Sequence, residues 1–421
     1  MKKEQRDAIP VIEGIWIGIL AGVITLIYRI CLEYADTIRS TITKLAKESV
    51  YTMILWVAFV AVLGIIVYKL VKYEPLISGS GIPQLEGEVE EKIHSSWKKV
   101  LPAKFMGGVL SLFAGLALGR EGPSIQLGAM AGQMSARGFK LDNEKTKFYL
   151  ICGASAGLSA AFNAPLAGVL FALEEVHKKF SPHVLIGTMC SSLTADVMVR
   201  ATLGSNSVFR IKLNQILPIK MYGYIIILGI VLGLFGALYN WFTLKMQDMY
   251  KHLRMPDQFK MAIPFVIAGI LAFAYPLLLG SGHNLIGLIT GGKLVLSTVL
   301  VILVGRFIFS GLSFGSGAPG GIFFPLLVIG GYIGGAFALI MSSTIGLDLV
   351  YLNNFVLLAM AGYFAAIVRA PLTGIILVFE LTGNLSQMLS LSTVSIVAYV
   401  VAALVGSKPI YESLLERLVK K

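Results

Sequence analysis

Long apolar runs alternate with short polar connections along this chain. Clear runs lie at Val11–Tyr28, Tyr51–Val67 and Tyr222–Leu238, and the only charged residue in them is Glu13, near the start of the first run. Each run has roughly the 17–25 residues that a helix needs to cross a hydrocarbon core. Other apolar segments are short or interrupted by glycine. The pattern predicts an all-α integral membrane protein built from tilted and broken transmembrane helices.

Three glycine-rich breaks interrupt the apolar pattern, at Gly79–Pro83, Gly119–Pro123 and Gly315–Pro325. Each lies where a helix is about to begin. A helix start presents unpaired N–H groups and a partial positive charge, so it attracts anions. Within a bilayer, irregular backbone is tolerated only where it is buried in protein or lines a watery cavity. The three breaks therefore predict a buried anion site made of helix starts, in a protein that moves an anion through a membrane.

Composition agrees with a membrane protein and changes the interpretation of the charge. Hydrophobic residues make up 56% of the 421 residues, and charged residues make up 14%. Mean hydropathy is +0.80. The formal net charge is +12, but the basic residues cluster in short polar connections. That distribution is typical of loops facing anionic lipid and argues against nucleic-acid binding.

Both ends of the chain are basic, with Lys2 at one end and Lys421 at the other. We therefore expect a multi-pass protein of the cell membrane with both termini in the cytoplasm and Ser205–Lys212 outside. The first apolar run continues as a full span and lacks a small-residue cleavage site, which predicts a retained helix. The cysteines and histidines have no metal-ligand spacing, so we expect neither a metal nor a cofactor.

The two halves of the sequence resemble each other. Asn163–Glu174 matches Arg369–Glu380, and Gly79-Ser80-Gly81 has a counterpart in Gly280-Ser281-Gly282 at a similar offset. We predict two transmembrane halves, 1–205 and 206–421, within a single membrane unit. Repeats with broken helices in corresponding positions place a binding site at their interface, near the bilayer midplane. The residues alone leave open whether the halves are parallel or inverted.

Glu121 is the sharpest functional candidate. A carboxylate inside a membrane segment costs about 2.5–3.5 kcal/mol or more, and its place at a helix start offsets about 0.3–1 kcal/mol of that. An ionised Glu121 would imitate a bound anion, and its protonation would free the site, so that anion and proton occupancy are linked. The alternative is a first-turn glutamate that only caps its helix. Glu174 and Glu175 are a second candidate pair, with two solvated carboxylates at a helix end as the alternative.

Neutral donors accompany the breaks. Ser80 offers a hydroxyl, and Gly321-Ile322-Phe323 offers backbone N–H groups. Donors without fixed positive charge suit transport, because a lysine or arginine would hold the anion too tightly. The alternative for Ser80 is a plain N-cap, which is compatible with anion binding. Tyr411 has a phenolic O–H that could reach an anion, although a tyrosine near a chain end is more often part of an interfacial belt.

An enzymatic alternative rests on Gly153-Ala154-Ser155-Ala156-Gly157, which fits the G-x-S-x-G pattern of serine hydrolases. That motif requires a turn between a strand and a helix, whereas these residues lie within an apolar run. An intramembrane serine hydrolase is therefore a distant alternative, and we expect no catalytic residues.

Taken together, Gly79–Pro83, Gly119–Pro123, Gly317–Pro325 and Tyr411 resemble the signature set of the CLC family of chloride channels and proton-coupled antiporters. The motifs stand in the right order and span nearly the whole chain. The resemblance implies two inverted halves and a homodimer in which each subunit has its own pathway. It assigns the following roles: Glu121 as external gating glutamate, Ser80 and Tyr411 as side-chain ligands of the central anion, Ile322 and Phe323 as its backbone N–H donors, and Glu175 as internal proton-transfer glutamate.

Details within the resemblance favour one branch of that family. In having a carboxylate at Glu175, the chain resembles the proton-coupled antiporters of the family. In having a serine at Ser80, it resembles members that prefer chloride to nitrate, and this serine argues against the fluoride exporters. The resemblance thus implies exchange of chloride and similar halides for protons, with a passive voltage- or pH-gated chloride channel as the alternative. The chain ends soon after its last apolar run, so we expect no cytoplasmic regulatory domain, and in this it resembles compact prokaryotic members. One departure is Gln84, where an acid is usual; it puts local stability or gating in question.

Overall fold

A computed structural model describes residues 3–204, 209, 211, 213, 215–383 and 385–420. The described part is helical throughout, and its only β-type pairing is an isolated bridge between Gly119 and Gly321. The predicted all-α architecture is confirmed. The helices are α1 (Lys3–Ala46), α2 (Val50–Tyr73), α3 (Ile82–Val89), α4 (Trp97–Phe113), α5 (Glu121–Gly138), α6 (Asn143–Phe162), α7 (Pro165–Phe171), α8 (Pro182–Leu203), α9 (Tyr222–His252), α10 (Asp257–Ala274), α11 (His283–Thr290), α12 (Leu296–Gly315), α13 (Phe323–Ile345), α14 (Leu352–Val368), α15 (Pro371–Thr382), α16 (Met388–Leu404) and α17 (Ile410–Val419).

Within these residues, nine helical segments are long and apolar enough to cross a membrane. The first, Ala8–Ala46, has 39 residues, so it is longer than the predicted run Val11–Tyr28. The apolar run stops at Arg29, but the helix continues because that charge faces protein: Arg29 pairs with Glu33 at 3.3 Å and donates a hydrogen bond to Asn163. A helix of that length, about 58 Å, crosses about 30 Å of hydrocarbon only if it is strongly tilted or projects from it.

The order of elements in the first half recurs in the second. Helices α1–α8 correspond in order to α9–α16, and α17 is additional. The match extends to detail: Gly81 and Gly282 both have left-handed backbone, with φ of 90° and 87°, immediately before the eight-residue helices α3 and α11. Glycine adopts this conformation at little cost. The predicted boundary between 205 and 206 falls outside the described residues.

Helices α5 and α6 cross at close backbone contact through glycines. A Cβ on Gly157 would lie 2.9 Å from the carbonyl carbon of Ser124, and a Cβ on Gly153 would lie 2.8 Å from the carbonyl carbon of Gly128. Such small-residue faces are how membrane helices approach closely. The second half uses the same device where α13 crosses α14, because a Cβ on Gly334 would lie 2.8 Å from the carbonyl carbon of Phe355.

A pair of glutamates joins the two halves. The Glu174 carboxylate accepts hydrogen bonds from Leu372 N at 3.2 Å and Thr373 N at 2.8 Å, at the start of α15. Glu380 accepts the equivalent bonds at the start of α7, from Leu166 N at 2.9 Å and Ala167 N at 2.7 Å. Each carboxylate therefore satisfies orphan N–H groups of the other half and complements its helix dipole. Glu174 is a structural cap, and the interpretation of it as a solvated helix-end carboxylate is wrong.

Candidate anion and proton site

The three glycine-rich breaks lie against one another. Gly79 and the 317–320 segment exchange two backbone bonds, Gly79 N to Gly317 O at 3.3 Å and Gly320 N to Gly79 O at 3.0 Å. Gly119 and Gly321 exchange two more, of 2.6 and 2.8 Å. These bonds satisfy backbone groups of the irregular segments. They also bring the starts of α3, α5 and α13 to one place.

Ser80 is buried just before α3, and its Oγ accepts a hydrogen bond from Ile82 N at 3.3 Å. The N-cap position of α3 is Gly81, so Ser80 is not the plain N-cap and contacts the helix start from one residue earlier. A hydroxyl that accepts in this way keeps its own O–H to donate to another group, so capping and anion binding are compatible. The start of α5 lies alongside, since a Cβ on Gly122 would be 2.9 Å from Ser80 Cβ.

Glu121 is the first residue of α5 and is 1% exposed. Its carboxylate lies against its own backbone N–H and that of Phe324, in the first turn of α13. The guanidinium of Arg120 lies 3.9 Å from it. A residue that only caps its own helix would not reach a second helix start. The carboxylate instead occupies the position between two helix N-termini that favours an anion.

Ile322 and Phe323 are fully buried at the start of α13, with Ile322 at the N-cap. The first N–H groups of a helix have no intrahelical partner, so these residues are suited to donate to an anion. The Phe323 ring is fixed by three aromatic neighbours, with ring centroids 5.4 Å from Phe162, 5.8 Å from Phe171 and 4.6 Å from Phe364. Packing on several elements holds the backbone there rigid.

Tyr411 lies in the first turn of α17, which packs on α3. It is fully buried, and its hydroxyl has no hydrogen-bond partner among the described residues. Glu175, Glu86 and Glu121 all lie within electrostatic range of it. Complete burial differs from the partial exposure of a belt tyrosine at a membrane surface. A buried O–H without a partner is instead available to a ligand.

Glu175 lies apart from the three helix starts, in a π-helical turn, Ala172–Val176, that follows α7. Such turns recur at functional sites in proteins. Its side chain is buried and contacts Glu86 of α3. The turn directs Glu174 toward α15 and Glu175 toward α3, so the two adjacent carboxylates have different surroundings.

Two cavities lead to the place where the starts of α3, α5 and α13 meet, and the two are lined by different residues. One, of about 540 Å³, is lined by Ser80 and Gln84 and by the basic side chains Lys251, Lys260 and Arg417. The other, of about 490 Å³, is lined by Glu121, Phe324, Arg29 and Arg120. In the first cavity the three basic side chains outnumber Asp257, which raises the local concentration of anions. The second also contains Glu33 and Asp36, so its lining has mixed charge. The structure therefore offers an anion an approach to Ser80 and a separate approach to Glu121.

The departure at Gln84 has a structural explanation. Its side-chain amide donates a hydrogen bond to Ser78 O at 2.7 Å, next to the first break. An ionised acid has no proton to donate there. Glutamine thus stabilises the irregular backbone and keeps a negative charge out of the cavity that leads to Ser80.

Two residues of this region, Phe324 and Glu86, were not predicted from the sequence. Phe324 lies in a motif but carries no polar side chain to mark its backbone N–H. Glu86 stands among other acids of a polar segment. The hydrolase motif, in contrast, has a packing role: Ser155 is buried within α6 and its Oγ donates to Thr188 O at 3.3 Å. No cluster of metal-ligating residues occurs in the part of the chain that the structure describes.

The helices and their convergence define a multi-pass membrane protein with a buried carboxylate at the meeting point of broken helices. The sequence profile of the family described as voltage gated chloride channel matches residues 62–403. The chain belongs to this family, as its motifs predict.

Relatives and solved structures agree with this membership. The chain is 35% identical over 418 residues to the H(+)/Cl(-) exchange transporter ClcA of Vibrio vulnificus, covering 96% of this chain and 88% of the relative. It is 36% identical over 417 residues to ClcA of Vibrio cholerae, with the same coverage. The crystal structure of a slow cyanobacterial Cl⁻/H⁺ antiporter superposes with a TM-score of 0.92, at 32% identity and 98% coverage of both chains. The predicted fold of inverted-repeat halves with broken helices is confirmed by this match.

Proposed function

We propose that this protein is a secondary active transporter that exchanges chloride, and similar halides, for protons. The observation that carries the proposal is the position of the Glu121 carboxylate, buried against the N–H groups at the starts of α5 and α13. One side chain there serves both as a stand-in anion and as a proton acceptor. The similarity to proteins named H(+)/Cl(-) exchange transporters supports exchange over a passive channel.

Ser80 and Tyr411 donate their hydroxyl protons to the central anion in this proposal, and Ile322 and Phe323 donate backbone N–H groups. Hydrogen bonds to a charged acceptor contribute about 1.5–3 kcal/mol each. They hold a dehydrated anion without a fixed cation, so binding stays weak enough for release. Chloride is the transported substrate, and no cofactor takes part.

Glu121 couples the two ions because its two protonation states differ in charge. Ionised, it competes with chloride for the helix starts. Protonated, it loses that attraction and leaves the site to the anion. Glu175 delivers protons from the cytoplasmic side, through a route separate from the cavity that leads to Ser80. Neither chloride nor a proton can complete its passage unless Glu121 changes its protonation state. The two ions are therefore exchanged.

The anion site is tested by removing its two hydroxyls. In a Ser80→Ala/Tyr411→Phe variant, we expect chloride affinity to fall by at least about tenfold, since two charge-assisted hydrogen bonds are lost. Isothermal calorimetry measures this directly. The matched control is Ser281→Ala, at the equivalent break of the second half, which should bind chloride as the wild type does. Unchanged affinity in the double variant would refute the assignment.

We further propose that the protein lies in the cell membrane as a homodimer with both termini in the cytoplasm, each subunit holding its own pathway. Exposed apolar side chains on α8 and α16, such as Val197 at 64% and Ile396 at 51%, support burial in lipid or against a second subunit. The terminal residues Lys2 and Lys421, and most of Ser205–Lys212, lie outside the described residues. Single cysteines at the two termini should label from the same, cytoplasmic side; labelling from opposite sides would contradict the topology.

A further inference from the structure

Two buried carboxyl groups meet where α3 packs beside the π-helical turn. Glu86 lies one turn into α3, and its fully buried side chain contacts that of Glu175. The two residues are far apart in sequence and come from different elements. Glu86 lies on α3, the short helix that begins just after Ser80 and whose start contributes to the anion site. The contact between Glu86 and Glu175 therefore joins the proton and anion regions.

Few positive or donor groups compensate this pair. Neither carboxylate oxygen of Glu86 accepts a hydrogen bond from an N–H or O–H group in the described residues. Among the described residues, the cation that pairs with it is Lys178, whose ammonium lies 3.7 Å from Glu86 Oε2, beyond hydrogen-bonding distance. Lys178 is shared with the partly exposed Glu90 at 3.8 Å, and its own side chain is 41% exposed.

Two ionised carboxylates in contact, away from water, repel strongly. One proton shared between them removes one charge and supplies the missing hydrogen-bond donor. The pair then carries a single negative charge, which the single positive charge of Lys178 balances. The geometry therefore favours the pair of carboxyl groups with one shared proton over the pair with no proton.

We propose that Glu86 and Glu175 hold one proton between them and that Glu86 is the group through which Glu175 is reloaded. The inference rests on the proposed function and deepens it. A proton arriving from cytoplasmic water past the partly exposed Lys178 forms an O–H bond on Glu86. That bond breaks as an O–H bond forms on Glu175, and Glu86 returns to its ionised form. Proton and charge are conserved, and no other reactant is required.

Other acids on α3 provide contrast. Glu88 accepts hydrogen bonds from Ser95 and Gln133, so its carboxylate is fixed by donors in another direction. Glu90 is the C-cap of α3, one turn beyond Glu86, and also pairs with Lys178, but it is partly exposed. Water can replace the Glu90 carboxylate as a partner of Lys178. Glu90 is therefore the matched control for Glu86.

The transport test compares Glu86→Gln with Glu90→Gln in reconstituted vesicles, with chloride and proton fluxes measured together. For Glu86→Gln we expect proton flux to fall about tenfold while chloride flux stays within about twofold, because a glutamine amide stabilises ionised Glu175 and cannot pass on a proton. Glu90→Gln should keep both fluxes. Glu86→Asp, which retains a carboxyl, should restore proton flux in part.

Infrared spectroscopy gives a readout that a structural role would not move. In the Glu121→Gln background, pH-difference spectra in a carbonyl-free detergent should show one protonated carboxyl from the pair. That signal should vanish in Glu86→Gln and also in Glu175→Gln, because each leaves a single carboxylate beside Lys178. A signal that persists in Glu175→Gln would overturn the inference, and this comparison stands even if Glu86→Gln does not fold.

The outcomes separate the two proposals. If wild-type protein moves chloride without coupled protons, the proposed exchange function fails. If wild-type coupling is present and Glu86→Gln keeps it, the exchange function stands and the shared proton is refuted.

Discussion

Replacing Glu121 by glutamine is expected to abolish proton coupling while chloride flux persists. The substitution preserves size and removes only the charge. The carboxylate lies against the N–H groups of Glu121 and Phe324 at two helix starts. A neutral amide has no net attraction to these positive helix ends, so it no longer competes with chloride and no longer exchanges a proton. Transport should also lose its dependence on pH, since the group that links the two ions is gone.

Paired chloride and proton fluxes in vesicles measure this effect. The matched control is Glu33→Gln, because Glu33 is a partly exposed acid that approaches the same Arg120 at 3.8 Å. Proton and chloride transport should remain coupled in Glu33→Gln. This control separates loss of the Glu121 carboxylate from a general change of charge in the cavity that leads to it. Undiminished proton transport in Glu121→Gln would contradict the assigned role.

Replacing Lys104 by methionine is expected to cause the largest loss of stability. Lys104 is fully buried on α4, and its ammonium donates to Ile77 O at 2.8 Å and Gly79 O at 2.6 Å. These carbonyls belong to the irregular backbone before Ser80. Without the ammonium, Ile77 O loses its side-chain donor at a cost of about 1–3 kcal/mol, and Gly79 O keeps the bond from Gly320 N alone. Methionine fills the volume but cannot donate, so the first break should loosen and chloride binding should weaken with it.

Thermal unfolding in detergent and chloride calorimetry test this prediction together. Lys99→Met is the control, because Lys99 is an exposed lysine on the same helix. We expect a clear fall in melting temperature for Lys104→Met and almost none for Lys99→Met. Equal melting temperatures would show that the two carbonyls do not need the ammonium. The second half has its own version of this contact, since Arg306 donates to Leu278 O, Gly280 O and Ser281 O at 2.6–2.9 Å.

Much of this fold could be predicted because a membrane restricts backbone so severely. Apolar runs require helices there, and glycine-rich breaks require burial, so the starts of α3, α5 and α13 were apparent from sequence. The repeat was visible for the same reason, since equivalent breaks recur in order. The extent of α1 was not predictable, because Arg29 ends the apolar run while Asn163 and Glu33 accommodate its charge within the helix.

Contacts between distant side chains were also hidden from the sequence. The Glu174 cap depends on α15, 198 residues away, and nothing near Glu174 signals it. One sign was present: Glu174 and Glu380 end the two matching segments, so a shared role was readable even though its nature was not. Glu86 gave no such sign. Its importance comes only from the π-helical turn that brings Glu175 against it.

The central claim is tested most directly by chloride-driven proton uptake. Purified wild-type protein in vesicles is given a chloride gradient, and external pH is recorded without any initial proton gradient. We expect protons to move uphill in the direction opposite to chloride, and a protonophore to collapse the signal. Chloride movement without uphill proton movement would make the protein a passive channel and contradict the exchange mechanism.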